Sequence, residues 1–380
     1  MRKHRIAIIA GDGIGPEVIG VAIDAMQAAG KRYGFELALK RFDCGAESYL
    51  RDGTVLDDRT IEDLRTYDAI VLGAVGDPRV TPGILERGLV IKLRTAFEQS
   101  INIRPVKLYP GVASPVKAAN AETCDLVILR ENTEGIYTGG GMTWEAGTPR
   151  ALAIQHSFTS VPATTRIVDF AFRMALLRTK RLTLCHKKNV LIHTGAMWQD
   201  IVTEVGTRYP DVEHDYVHAD AMCQHLLLDP GRFDVVVAPN LIGDIISDLG
   251  AAIQGGLGVA ASANFNPSGS APSMYEPVHG SAPDIAGTGA ANPVAAVLSV
   301  AMCLANLSEP AAARAIEAAA ASVLAQIGNG RNPVMATTSE IGRLIVEKID
   351  RVNLEDCASG RSIMSTMASL LPSSKLTGSF

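Results

Sequence analysis

Short apolar runs rich in β-branched residues alternate along the chain with longer stretches patterned for helix. This alternation restricts the fold to an α/β architecture with a parallel or mixed sheet. Arg5–Ala10, Ala69–Gly73, Leu126–Leu129, Leu182–Cys185 and Asp234–Ala238 read as buried strands. Pro16–Ala29, with proline in its first turn, reads as a helix, as do Leu85–Gln99, Thr164–Arg178 and Met197–Val205. Glycine and proline at 75–83, 138–149 and 264–272 predict loops. The last dozen residues read as a frayed tail.

Length and charge then exclude some classes of function. A chain of 380 residues has ample core for one large or two ordinary domains. Its net charge of −5 provides no basic field to attract phosphates, so no nucleic-acid partner is expected. The apolar run before Gly11 is too short for a secretory core. The alanine-rich stretch 311–327 is broken by Arg314 and Glu317, so no membrane association is expected. Cys44, Cys124, Cys185, Cys223, Cys303 and Cys357 include no C-x-x-C pair and read as reduced thiols of a cytoplasmic protein.

Several segments carry chemistry, and each also has a plain structural reading. Gly11-Asp12-Gly13-Ile14-Gly15-Pro16-Glu17 joins the first strand to the first helix. Such a turn lets a ligand approach backbone N–H groups, but the spacing is not the dinucleotide fingerprint G-x-G-x-x-G, and a structural turn is as good a reading. Arg94, Arg104 and Arg130 are either surface arginines or, if they converge, forks for a di- or tricarboxylate. Arg130 is the best placed, at a strand end. Asp244 and Asp248, four apart on one helix, share a face. They are two solvated carboxylates or two ligands of a hard divalent cation. Lys187 follows a buried strand and is a surface cation or a base. His279-Gly280-Ser281-Ala282-Pro283-Asp284-Ile285-Ala286-Gly287 is a tight turn or a nucleotide loop, in which Asp284 could accept from ribose hydroxyls. Asp220 carries no reading of its own.

Taken in order from about residue 5 to about residue 345, these segments resemble the β-decarboxylating dehydrogenases, the isocitrate/isopropylmalate dehydrogenase family. The resemblance rests most on Gly11–Glu17, on Asn240-Leu241-Ile242-Gly243-Asp244-Ile245-Ile246-Ser247-Asp248, and on Glu276-Pro277-Val278-His279 running into the loop above. It implies a two-domain mixed-sheet fold that is not a Rossmann fold. Residues 1–99 and 253–365 would form a discontinuous cofactor-binding domain, 100–252 a central substrate and dimerisation domain, and 366–380 a flexible tail. It also implies NAD-dependent oxidative decarboxylation of a 2-hydroxy dicarboxylic acid, aided by Mg²⁺ or Mn²⁺.

By the same resemblance, Arg94, Arg104 and Arg130 bind substrate carboxylates. Tyr137 is the acid, Lys187 helps remove the hydroxyl proton, and Asp220, Asp244 and Asp248 ligate metal. Ile14, Glu276, His279, Gly280, Ser281, Ala282, Asp284 and Asn292 contact the cofactor. Lys187 and Asp220 come from the neighbouring subunit of a homodimer. The carboxylate of Asp284 suits NAD and repels the 2′-phosphate of NADP. Leu89, Val90, Ile91 and Leu93 before Arg94 are core residues or an apolar wall that favours 3-isopropylmalate, hence leucine biosynthesis. D-malate, tartrate or another substituted malate is the alternative, and a non-catalytic regulatory homologue is a third. Pro239 and Ile242 depart from the family pattern beside the expected nicotinamide and metal.

Overall fold

The computed structural model describes residues 2–328, 336–352 and 362–370. Cys357 and the end of the expected tail, 371–380, lie outside the described residues. The strands, in chain order, are β1 (Arg2–Gly11), β2 (Phe35–Arg41), β3 (Ala69–Ala74), β4 (Ile101–Lys107), β5 (Asp125–Glu131), β6 (Gly141–Trp144), β7 (Leu152–Gln155), β8 (Arg181–His186), β9 (Glu213–His218), β10 (Val235–Ala238), β11 (Ala261–Phe265) and β12 (Ser273–Pro277). The α-helices are α1 (Gly15–Tyr33), α2 (Ala46–Asp52), α3 (Asp58–Leu64), α4 (Lys92–Ala96), α5 (Val161–Leu176), α6 (Ile192–Gly206), α7 (Ala219–Leu228), α8 (Asn240–Ile253), α9 (Val294–Asn306), α10 (Pro310–Ile327), α11 (Thr338–Ile349) and α12 (Ile363–Ser369).

Ten strands form one mixed sheet in the order β2-β1-β3-β12-β11-β4-β5-β10-β8-β9. This is the expected α/β class, and the order is not the 3-2-1-4-5-6 of a Rossmann sheet. Both faces are covered. On β1, Ile6 and Ile8 enter the larger apolar core, while Ala7 and Ile9 enter a smaller one on the other side. The antiparallel pairs β12/β11, β11/β4 and β4/β5 occupy the middle of the sheet. Beyond them β5, β10, β8 and β9 are mutually parallel, so their C-terminal ends share one edge. Arg130, Asn240, Lys187 and Asp220 lie at or just after those ends.

The helix read over Leu85–Gln99 forms as an unbroken helical run to Ala96 with a π-helical turn, Glu86–Ile91, inside it ahead of the short α4. The cause lies in the spacing of its buried residues. Leu85, Leu89, Leu93 and Phe97 all sit in the smaller core, four residues apart. At about 100° per residue an α-helix would rotate that row by about 40° at each step. The wider π turn takes up the excess and keeps the row facing inward. Ile91 is half-buried and belongs to neither core.

Three other expectations shift. Within 138–149, Gly141–Trp144 pairs with Leu152–Gln155 as an exposed hairpin. Asn264 and Phe265 belong to β11 rather than to a loop. The helix α12 takes in residues 366–369 of the expected tail, anchored by buried Met364, Met367 and Leu370.

Candidate active site

The helix α8 follows β10 through extended Pro239 and presents Asp244 and Asp248 one turn apart, both facing the arginines of β4 and β5. Its approach to β5 requires glycine at 243, where a Cβ would come within 2.8 Å of the Arg130 side chain. Asn240, in the first turn of α8, accepts from both Nε and Nη2 of Arg130, at 2.9 and 2.7 Å. Its own amide donates to the Glu134 carbonyl at 2.8 Å. Arg130 is thereby fixed, and its Nη1 pairs with Asp244.

Arg104 Nη1 lies 3.2 Å from carboxylate oxygens of both Asp244 and Asp248 and donates to Ser247 Oγ at 2.8 Å. Tyr137 donates to the second oxygen of Asp244 at 2.5 Å, and its ring lies under the Arg130 guanidinium. Arg94 pairs with Glu276 at 3.1 Å and keeps a buried Nε without a hydrogen-bond partner. The Arg94 charge acts on Arg104, Arg130 and Asp244, so Arg94, Arg104, Arg130, Tyr137, Asp244, Asp248 and Glu276 form one cluster. It holds three guanidinium groups and three carboxylates.

These charges shift one another. Burial pushes the Asp244 carboxyl up, but Arg130 and Arg104 outweigh it, and the group sits below its ordinary value. Burial also raises Asp248, which Arg104 only partly offsets and Asp244 reinforces. Two carboxylates on one helical face are thus driven in opposite directions, as functional pairs often are. Burial, and then the hydrogen bond to Asp244, lift the Tyr137 hydroxyl, which keeps it a neutral donor. Burial, followed by the charges of Arg94 and Arg104, draws Arg130 below the usual arginine range.

Lys187 and Asp220 form a second group, paired with each other at 2.7 Å. Lys187 holds the Asp220 carboxyl below its ordinary value. Among the described residues no three His, Cys, Asp or Glu side chains converge as a metal site, so Asp220 does not join Asp244 and Asp248 within one chain. Just after Lys187, whose carbonyl accepts from the Val190 and Leu191 amides, come exposed Val190, Leu191 and Ile192.

The expected cofactor segments meet. The Ile14 amide donates to the Ser281 carbonyl at 2.8 Å. Gly13, at φ +55°, passes so close that a Cβ would lie 2.0 Å from that carbonyl. Ala282 has φ +39°, a strained geometry for a residue with a side chain. Gly280 and Asp284 are exposed, and the His279 ring has a buried Nε2 without a partner. Asn292 caps the backbone of Val294 at 3.0 Å and packs against Gly258. Asp12 is not open to a ligand. Its buried carboxylate accepts from the Ala46 and Gly76 amides at 2.8 and 2.9 Å and ties the glycine turn to its neighbours.

Ile242 is partly buried against the larger core. Sequence reading passed over Asn240, Ser247, Asn102 and Asn264. The first two lie within the quoted α8 motif and could have been flagged by their spacing from Asp244.

Comparison with known proteins agrees with this geometry. A family model described as isocitrate/isopropylmalate dehydrogenase matches residues 5–345. A 3-isopropylmalate dehydrogenase of Thermobifida fusca (strain YX) is 47% identical over 349 residues, 92% of this chain and 98% of its own. One from Mycobacterium sp. (strain KMS) is 49% identical over 324 residues, 85% of this chain and 95% of its own. Among solved structures, isocitrate dehydrogenase from Methylococcus capsulatus superposes with a TM-score of 0.81 at 34% identity, covering 91% of this chain and 99% of that one.

Proposed function

The chain belongs to the isocitrate/isopropylmalate dehydrogenase family, and we propose that it is an NAD-dependent enzyme that oxidatively decarboxylates 3-isopropylmalate. The observation that carries this reading is the convergence of Arg104 and Arg130 on the Asp244–Asp248 face, with Arg94 on Glu276 close enough for its charge to act on Asp244 and with Tyr137 bonded to Asp244.

Charge balance supports a divalent cation. The cluster's three cations already match its three anions. A dicarboxylate entering alone would leave buried negative charge in excess, which is costly; entering with a divalent cation it brings none. Asp244 and Asp248 offer the hard oxygen donors that Mg²⁺ or Mn²⁺ prefers, and Asp220 of a second copy would complete the set. NAD suits the exposed carboxylate of Asp284, and Ile14, Glu276, His279, Gly280, Ser281, Ala282 and Asn292 would surround it.

Bound NAD supplies the hydride acceptor, and the bound cation a Lewis acid for the hydroxyl oxygen. The chain's own groups do the rest. Arg94, Arg104 and Arg130 hold the two carboxylates and orient the C2 hydrogen. Lys187 of the second copy takes the hydroxyl proton. Oxidation leaves a ketone β to a carboxylate, which departs as carbon dioxide. Tyr137, kept protonated, gives its proton to the carbon left behind.

The absence of a convergence of Asp220 with Asp244 and Asp248 among the described residues supports a homodimer in which a second copy supplies Lys187 and Asp220. The exposed apolar residues just after Lys187, and Leu241 and Ile245 on α8, are the surface a second copy would cover. A proposed boundary between the units 1–99/253–365 and 100–252 falls between β11 and β4. Half-buried Ile91 and Val90, on the face of the turn that carries Arg94, would meet the isopropyl group.

Purified protein with NAD and Mn²⁺ is expected to turn over 3-isopropylmalate far better than D-malate, tartrate or isocitrate. The reverse ranking discards the substrate assignment. Nucleotide binding without NADH formation on any of the four would favour a regulatory homologue.

A further inference from the structure

Across the middle of the sheet a file of buried amides joins two of the substrate arginines. Asn264 on β11 stands opposite Asn102 on β4, which stands opposite Arg130 on β5. Arg104 Nε donates to Asn102 Oδ1 at 2.7 Å. Asn102 Nδ2 donates to Asn264 Oδ1 at 3.0 Å. Asn264 Nδ2 donates to Glu276 Oε1 at 2.7 Å, the oxygen that also receives Arg94 Nη2. Asn132 adds a second donor to Asn264 Oδ1 at 2.9 Å. Asn102, Asn264 and Asn132 are at most 3% exposed.

The direction of this chain is fixed by chemistry at both ends. A guanidinium can only donate and an ionised carboxylate can only accept. Each asparagine between them must therefore turn its oxygen toward Arg104 and its amide toward Glu276. Every bond in the file polarises the next, in a setting where water does not compete. Arg104 is left with its Nε committed and its Nη1 aimed at Asp244, Asp248 and Ser247. Arg94 is held by a Glu276 that shares its oxygen with Asn264.

We infer that Asn264 and Asn102 are positioning residues that aim Arg94 and Arg104 at the substrate carboxylates through this directed file. The inference rests on the proposed substrate role of those arginines. Neither asparagine touches substrate itself; each acts through the arginine it serves.

Asn264→Asp is the informative variant because it is isosteric. It keeps an acceptor for Asn102 and Asn132 but sets a carboxylate against Glu276, with Arg94 as the cation facing both and Arg104 beyond Asn102. Two adjoining buried carboxylates share a proton at low pH and repel at high pH. The protonated form donates to Glu276 as the amide does, so the file re-forms as pH falls. Calorimetric affinity for 3-isopropylmalate with Mn²⁺, and KM, are expected to match wild type near about pH 6 and to weaken about tenfold to a hundredfold toward about pH 9. Asn264→Ala should weaken both across the whole range. A purely structural lesion would not follow pH in this way.

An Asn264→Asp protein whose affinity and KM track wild type throughout overturns the inference. If that variant does not fold, Asn102→Ala decides. It removes the acceptor for Arg104 Nε alone among the arginines, and a substrate affinity equal to wild type overturns the inference. A wild-type protein that binds no hydroxy dicarboxylate removes the proposed function and this inference with it, whereas full wild-type activity beside a silent Asn264→Asp removes the inference only.

Discussion

The arginine–aspartate cluster and the Lys187–Asp220 pair carry groups of the same kinds and are built in opposite ways. In the first, each guanidinium is buried, paired and oriented by named partners: Asn240 of α8 for Arg130, Asn102 of its own strand and Ser247 of α8 for Arg104, Glu276 of β12 for Arg94. In the second, the two charges pair with each other, Asp220 is exposed, and the apolar side chains just after Lys187, Val190 to Ile192, face solvent. Buried charge is tolerated only when compensated, and the charges of the first group are balanced within one chain, with the Arg94 Nε left over. The second, in the reading proposed above, is a half-site that another copy would complete. On the proposed roles, the difference teaches that substrate recognition would be prebuilt within one chain and proton abstraction left to assembly.

That contrast can be broken in three ways. The largest expected effect is on turnover. Tyr137→Phe in the arginine cluster and Lys187→Ala in the half-site should each lower kcat by about 10²- to 10⁴-fold, the scale of general acid–base groups. Steady-state assays that leave both rates unchanged would remove these roles.

Next comes assembly. Ile245→Glu places a charge on the exposed apolar face of α8, away from the arginines. It should yield monomers in analytical ultracentrifugation and cut activity about tenfold or more, while the melting curve of the monomer stays cooperative. A monomeric variant with full activity would mean that the half-site needs no second copy.

The smallest effect concerns the scaffold of the half-site. His186 is buried at the end of β8, accepts the Lys187 amide at 2.8 Å, and is driven down to about 4 by burial. Because its folded-state value lies below the unfolded one, the unfolded chain takes up a proton first. Stability contributed by neutral His186 is complete above about pH 6.5 and is lost as pH falls toward about 4. In urea titrations the wild type should lose up to about 3 kcal/mol across that window through this group, and His186→Gln should lose less. Equal slopes would show that His186 does not titrate this way.

Much of the fold was legible, for a physical reason. The strands Arg5–Ala10, Ala69–Gly73 and Leu182–Cys185 are apolar on both faces and announce themselves by composition. The strands β4, β11 and β12 do not. Ile-Asn-Ile-Arg-Pro, Ala-Ser-Ala-Asn-Phe and Ser-Met-Tyr-Glu-Pro contain asparagine, proline or glutamate, residues depleted from strands. They break local preference because they carry the amide file, and the places where local preference fails are where function concentrates. The site was legible where chemistry is local: Asp244 and Asp248 declare a shared face by spacing alone. Asn102 and Asn264 become partners only when strands 162 residues apart in sequence pair, which no local pattern encodes. The π turn before Arg94 was likewise hidden, since a four-residue spacing of leucines reads as ordinary helix until its rotation is followed over three turns.

The most direct test of assembly from two copies is complementation. Tyr137→Phe and Lys187→Ala proteins, each inactive alone, are unfolded together, refolded as an equal mixture and assayed with 3-isopropylmalate, NAD and Mn²⁺. If each site draws Tyr137 from one copy and Lys187 from the other, half the dimers are hybrids and each hybrid has one intact site, so about a quarter of wild-type activity should return. A mixture that refolds to dimers and remains as inactive as its parents would contradict the account.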